Sequence, residues 1–95
     1  MEIERLSVIV PAYKQEKYIL NDIENIYKSL KSTPYKFEII VVVDGTSLDK
    51  TYENAKKTKH KSIKVFGYKS NKGKGQAVRY GMEKAKGDIT MFIDA

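Results

Sequence analysis

Apolar and polar residues recur along the chain at two different periods, and the local period names an element. Leu6-Ser7-Val8-Ile9-Val10 is rich in β-formers and predicts a strand that stops at Pro11, which has no N–H to give a sheet ladder. From Glu16 to Lys31 the apolar positions Ile19, Leu20, Ile23, Ile26, Tyr27 and Leu30 fall at steps of three and four. That spacing predicts a helix with one face on the core, ended by Ser32-Thr33-Pro34. Phe37 to Val43 is almost continuously apolar, the pattern of a strand covered on both faces, and it ends at Asp44-Gly45. Asp49 is placed to cap a helix from Lys50 to Lys59 with Tyr52 and Ala55 inward, and Ser62 to Tyr68 predicts a third strand. Asn71-Lys72-Gly73-Lys74-Gly75 then leads into a helix from Gln76 to Lys86 with Ala77, Val78, Gly81, Met82 and Ala85 inward. Gly87 suits a left-handed position that stops this helix. The last strand, Asp88 to Asp94, has the apolar interior of a buried strand.

The predicted order is β-α-β-α-β-α-β. By the right-handed crossover rule it implies a parallel sheet with helices on both faces, a Rossmann-like three-layer α/β/α fold. Residues 1–95 form a single domain with no internal repeat or linker. Because the last strand has just delivered Asp94 when the sequence reaches Ala95, the domain is expected to continue beyond it. An uncovered sheet edge there predicts a homodimer.

Length and composition remove several classes. Ninety-five residues suit one domain, and 41% hydrophobic with 32% charged residues reads as globular rather than disordered. Absence of Cys excludes a disulfide framework, a thiolate zinc site and a cysteine nucleophile. The one His, His60, stands in the tract KKTKHK and reads as solvated. Met1 leads directly into Glu2, Glu4 and Arg5, and no apolar run approaches the roughly 20 residues of a membrane span. A cytoplasmic setting is therefore expected.

Charge is unevenly spread. Residues 50–86 hold twelve of the eighteen Lys and Arg with only Glu53 and Glu83, a local charge of +10 against −4 for the remainder. A phosphorylated small molecule, an anionic membrane surface or a nucleic acid would each suit such a region, as would a plain solvated surface.

Candidate chemistry gathers where open parallel sheets bind ligands, outside the carboxyl ends of the strands. The first strand ends in Pro11-Ala12-Tyr13-Lys14-Gln15-Glu16, the second in Asp44-Gly45-Thr46-Ser47-Leu48-Asp49, and the fourth in Asp94. Carboxylates at such an edge can accept hydrogen bonds from a base or ribose, or hold a hard cation. Lys72 and Lys74, set among glycines at a helix start, suit phosphate. Two named motifs fail on this loop: G-x-G-x-x-G would need Gly where Val78 stands, and the P-loop pattern is absent.

Taken in order, the segments Ser7-Val8-Ile9-Val10-Pro11-Ala12-Tyr13, Val41-Val42-Val43-Asp44-Gly45 with Asp49 and Thr51, Asn71-Lys72-Gly73-Lys74-Gly75-Gln76-Ala77-Val78-Arg79, and Gly87-Asp88 with Phe92-Ile93-Asp94-Ala95 resemble family 2 glycosyltransferases of the GT-A fold. The closing segments are most similar to the branch acting on polyprenyl or dolichyl phosphate with mannose or glucose, and the resemblance covers the nucleotide-binding front part of such enzymes. It implies that Pro11, Ala12 and Tyr13 line a nucleobase and ribose pocket, with Glu16, or Gln15 beside it, in the place of the family's acidic contact to the nucleoside. It implies that Asp44 reads the base edge beside Gly45, and that Lys72 and Gly73 border the nucleotide. Asp94 and Ala95 match the first two positions of D-x-D, whose carboxylates hold Mg²⁺ or Mn²⁺ against the sugar diphosphate. The sequence departs from the family pattern in Lys14-Gln15, where Asn-Glu is usual, and in Val43-Asp44, where a double Asp is usual.

The function so implied is transfer of a hexose from GDP-mannose or UDP-glucose to a polyprenyl phosphate, at the cytoplasmic face of a membrane. The general base is expected beyond residue 95. Two other classes fit the residues: a nucleotide-binding fragment without turnover, and a basic α/β protein that binds nucleic acid. No nucleic-acid partner is expected, since no basic and aromatic single-strand platform or recognition motif is present.

Overall fold

The computed structural model describes residues 4–94, which alternate between strand and helix throughout. The elements are β1 (Arg5–Ala12), α1 (Ile19–Lys31), β2 (Lys36–Asp44), α2 (Thr51–Ala55), β3 (Ile63–Tyr68), α3 (Lys74–Lys84) and β4 (Ile89–Phe92). All strand pairs are parallel and the sheet order is β3-β2-β1-β4. The fold is thus the expected three-layer α/β arrangement. The direction of sheet growth reverses at β1, which has β2 on one side and β4 on the other.

Alternation along the inner strands divides the core in two. Val8, Val10, Ala12, Ile39, Val41 and Val43 face α1 and α2, meeting Ile19, Ile23, Leu30 and Ala55. Ile9, Ile40 and Val42 face the other way, onto Ala77 of α3. Because β1 and β2 are covered on both faces, their centres carry no polar alternation, and Val8–Val10 and Ile39–Val43 are fully buried.

Pro11 does not end β1, which runs on to Ala12 with Pro11 opposite Val42. The Ile9 carbonyl accepts the Ile93 N–H at 2.9 Å, so Ile9 points its polar groups toward β4. Pro11, two residues on, points the same way. Its missing N–H therefore ends the ladder to β4 while the ladder to β2 continues.

Other local expectations shift for similar tertiary reasons. Leu20 is exposed rather than inward, and Met82 is exposed on α3, whose buried residues are Ala77 and Gly81. α2 is five residues long, because the Lys-rich stretch after Ala55 offers no further apolar positions for an inner face. His60 is not solvated: it stacks on Tyr27 with ring centroids 3.6 Å apart and meets Glu24 Oε1 at 3.0 Å. β4 is exposed along its whole length, since among the described residues it pairs only with β1, and α3 lies over β1 and β2.

Gly87 is required by proximity and not by a left-handed backbone. A Cβ there would lie 2.6 Å from Ser7 Oγ and 2.8 Å from Ser7 N. The close approach lets Gly87 N–H donate to Ser7 Oγ at 2.8 Å, while Ser7 Oγ donates to Glu38 Oε2 at 2.6 Å. Glu38 Oε2 also accepts the Lys86 N–H at 2.7 Å, and Lys64 Nζ lies 3.7 Å from Oε1. This buried carboxylate ties the turn between α3 and β4 to the amino ends of β1 and β2. Burial alone would raise the Glu38 pKa, but the Ser7 hydroxyl, the Lys86 N–H and the Lys64 and Arg5 charges hold it below the ordinary value.

Candidate functional site

A cavity of about 440 Å³ opens at the carboxyl ends of β1, β2 and β4. Pro11 and Ala12 from the end of β1 and Ala77 from α3 give it apolar walls. Tyr13 and Gln15, on the turn after β1, and Asn71 and Gly73, on the loop before α3, form its sides. Asp44, Lys74 and Asp94 supply the charges.

Asp44 is 4% exposed and already engaged. Its Oδ1 accepts the Lys72 N–H at 2.7 Å and its Oδ2 the Gly73 N–H at 3.0 Å. These charge-assisted bonds fold the glycine loop over the end of β2. Gly73 adopts φ +98°, a region that costs glycine little, and this directs its N–H at the carboxylate. Burial, and then the Asp44 carboxylate facing the hydroxyl, through hydrogen bonding first and charge second, push the Tyr68 phenol above its ordinary value. A carboxylate offers about four acceptor directions, so beyond the two loop N–H groups and the nearby Tyr68 hydroxyl Asp44 can still accept from a ligand.

At the mouth, Lys74 Nζ lies 2.8 Å from Asp94 Oδ2, both side chains being more than half exposed. Lys74 opens α3, whose first turn lines the cavity through Lys74 and Ala77. A helix start carries partial positive charge, so the lysine and the helix both favour an anion here. Among the described residues no group of three or more His, Cys, Asp or Glu is placed to hold a metal ion. Mg²⁺ and Mn²⁺ bound to nucleotides draw most ligands from phosphate and water and need only one or two carboxylates. Asp94 fits as one such carboxylate.

The cavity therefore brings together Pro11, Ala12, Tyr13, Gln15, Asp44, Gly73 and Asp94 from the residues singled out in the sequence. Glu16, Gly45 and Lys72 are not in its lining. Glu16 is exposed and engages through its backbone, its carbonyl accepting from Asn54 Nδ2 at 2.9 Å. Gly45 is buried against Leu48 and Asn71. Lys72 contributes its N–H to Asp44 and places its ammonium 6.0 Å from the Tyr68 ring centre. Ala95 lies outside the described residues. Asn71 and Ala77 join the lining without having been singled out for it; because α3 begins at Lys74 and not at Gln76, Lys74 and Ala77 stand three apart on one face of that helix.

A parallel sheet whose order reverses at β1, with an aromatic, a carboxylate and a cation at its carboxyl edge, is an α/β domain of the GT-A type. The glycosyl transferase family 2 model matches residues 7–95. The chain belongs to that family. It is 38% identical over 99 aligned residues to a dolichyl-phosphate beta-glucosyltransferase of Drosophila melanogaster, covering 95% of this chain and 30% of the relative. To a dolichol-phosphate mannosyltransferase of Pyrococcus furiosus it is 34% identical over 92 residues, covering 96% of this chain and 25% of the relative. Among solved structures, a mannosyltransferase from Pyrobaculum calidifontis in complex with GDP-Man and Mn²⁺ superposes with a TM-score of 0.81 at 26% identity, over 99% of this chain and 28% of that one. S. aureus TarS in complex with UDP-GlcNAc gives a TM-score of 0.74 at 33% identity, over 95% and 26% of the two chains. The chain thus spans about a quarter to a third of these relatives.

Proposed function

We propose that this chain forms the donor-binding part of a glycosyltransferase that moves a hexose from a nucleotide-sugar to a polyprenyl phosphate. The observation that carries the reading is the cavity itself, which sets an aromatic and a carboxylate at one side and a lysine, a helix start and an acidic side chain at its mouth. Pro11, Ala12 and Tyr13 receive the nucleoside, Tyr13 by stacking, and Asp44 accepts from the base edge. Lys74 and the first turn of α3 meet the diphosphate, bordered by Lys72 and Gly73. Asp94 would hold a divalent cation, which when bound offsets the charge that develops on the departing nucleoside diphosphate.

The named relatives act on, or carry the names of, dolichyl and dolichol phosphates, which supports a lipid-phosphate acceptor. A second groove supports a setting at an anionic membrane face. Lys17, Lys57 and Lys59 line it beside exposed Leu20, and lysine clusters of this kind are attracted to anionic lipid.

A second reading, nucleotide binding without turnover, is favoured by one feature. Both carboxylates of the cavity are engaged, Asp44 by the glycine loop and Asp94 by Lys74, and the first reading itself expects its general base outside this cavity, so the cavity alone is a binding site. Calorimetry with UDP, GDP, UDP-glucose and GDP-mannose, with and without Mn²⁺, tests the donor site. Transfer to dolichyl phosphate then separates the two readings. Saturable binding with product supports transfer by this chain, binding without product supports a donor-binding part that does not turn over by itself, and no binding by folded protein removes both.

A further inference from the structure

Tyr13 and Gln15 form one side of the cavity, yet the turn that carries them includes an unfavourable backbone. Lys14 has φ +49°, the only non-glycine positive φ among the described residues. A left-handed conformation is disfavoured for a residue with a Cβ, so something outside the turn must hold it.

That hold comes from the start of α2. Thr51 is fully buried, and its Oγ1 accepts the Gln15 N–H at 2.7 Å. The same hydroxyl donates to Asp49 Oδ1 at 2.6 Å, which also accepts the Thr51 N–H at 2.9 Å. Burial would raise the Asp49 pKa, but the Thr51 hydroxyl and N–H, with the Glu16 N–H nearby, hold it below the ordinary value. On the far side of the turn, Asn54 Nδ2 donates to the Glu16 carbonyl at 2.9 Å. The Gln15 amide, immediately after the strained residue, is thus captured by a buried hydroxyl 36 positions along the chain, with Asp49 behind that hydroxyl. Neither Asp49 nor Thr51 touches the cavity.

We infer that Asp49 and Thr51 are positioning residues for the donor site: they clamp the Lys14–Glu16 backbone and so fix where Tyr13 and Gln15 stand against a bound nucleotide. This inference rests on the cavity being the nucleotide site. Its chemistry is specific. Thr51 must be both a donor, to the carboxylate, and an acceptor, from Gln15, a combination that a hydroxyl supplies and a methyl does not. Asp49, as an anion, polarises that hydroxyl and shortens the chain of bonds. Ordering the turn before the ligand arrives removes that cost from binding.

Two separate readouts test this in the 95-residue chain. Amide hydrogen exchange without ligand reports the clamp: in Thr51→Val the Gln15 and Glu16 amides should exchange on the order of tenfold faster, and in Thr51→Ser at the parent rate. Calorimetry with UDP and GDP reports the consequence: Thr51→Val should weaken the preferred nucleotide on the order of tenfold, with Thr51→Ser close to parent. Unchanged exchange, or unchanged affinity in a folded Thr51→Val, overturns the inference. Should Thr51→Val not fold, Asp49→Asn decides the same question by the same two measurements, with unchanged values overturning it. A parent chain that shows slow Gln15 and Glu16 exchange but binds neither UDP nor GDP overturns instead the nucleotide reading on which the inference depends.

Discussion

Asp44 and Gly73 are joined across 29 positions by a 3.0 Å hydrogen bond from the glycine N–H to Oδ2, with the adjacent Lys72 N–H on Oδ1. The carboxylate at the end of β2 therefore builds the glycine loop as well as facing the cavity. Asp44→Ala should free that loop and remove the acceptor, weakening the preferred nucleoside diphosphate by about ten- to a hundredfold, the equivalent of about 1.5–3 kcal/mol for bonds to a charged group. Asp44→Asn should retain part of this loss, because its amide has one acceptor oxygen for two loop N–H groups. Calorimetry on folded variants measures both; parent-like affinity in Asp44→Ala would remove Asp44 from the site.

Lys74 tests the phosphate end of the same cavity. Its ammonium is exposed and paired with Asp94, so its removal should leave the fold intact. Lys74→Met should weaken UDP or GDP roughly fivefold, on the scale of an exposed charge pair, and leave uridine or guanosine nearly unchanged. An equal loss for nucleoside and nucleotide would place Lys74 away from the phosphates. The same comparison in high salt should shrink the difference, since exposed charges are screened.

Much of this architecture was legible in periodicity. β1 and β2 read as buried because both their faces are covered, and α1 read as amphipathic because only one of its faces is. The departures share a cause, which is that sequence pattern reports local preference and not neighbours. Pro11 could continue β1 because β4 is already ending beside it, and Gly87 answers to the Ser7 backbone rather than to its own φ. Glu38 sits within an apolar run, and only its partners from α3 and β1 explain why a carboxylate stands there. At the site, Tyr13, Asp44 and Asp94 followed from their strand-end positions. Lys74 was legible too, as a lysine among glycines at a helix start, whereas the role of Thr51 required knowing how distant turns pack together.

Gly87 provides a stability test far from the cavity. Gly87→Ala places a Cβ within 2.9 Å of Ser7 N, Ser7 Oγ and the Arg5 carbonyl, two of which are backbone atoms that cannot rotate aside. Overpacking of this kind should cost about 1–3 kcal/mol, and loss of the Gly87 to Ser7 bond would add to it. Denaturant unfolding measures the change. Stability equal to the parent's would mean the turn before β4 relaxes without cost.

The Glu38 network makes a signed prediction about acid. Its pKa in the folded chain lies below the ordinary 4.5, so the unfolded chain binds the proton more readily. Glu38 therefore contributes its full stabilisation above pH 4.5 and loses it as pH falls through the lower folded value. Glu38→Gln should be less stable at neutral pH by about 1.5–3 kcal/mol, and the gap to the parent should close on acidification below the ordinary value. Unfolding curves collected from pH 7 downward show this as convergence. Parallel curves for the two proteins would assign the acid sensitivity to other carboxylates.

β4 presents a run of exposed apolar side chains. Ile89, Met91 and Phe92 are 38%, 45% and 52% exposed, and the strand pairs only with β1 among the described residues. Its outer backbone groups and apolar side chains together make a template for another strand. An antiparallel pairing of two copies along β4 would satisfy both, extending one sheet through a two-fold axis. Sedimentation of the 95-residue chain over a concentration series should accordingly show reversible dimerisation. Met91→Lys, which sets a charge on that edge, should raise the dissociation constant by about tenfold or more without altering nucleotide affinity, since Met91 lies outside the cavity. A chain that remains monomeric throughout, or a dimer indifferent to Met91→Lys, would show that this edge does not pair with a second copy.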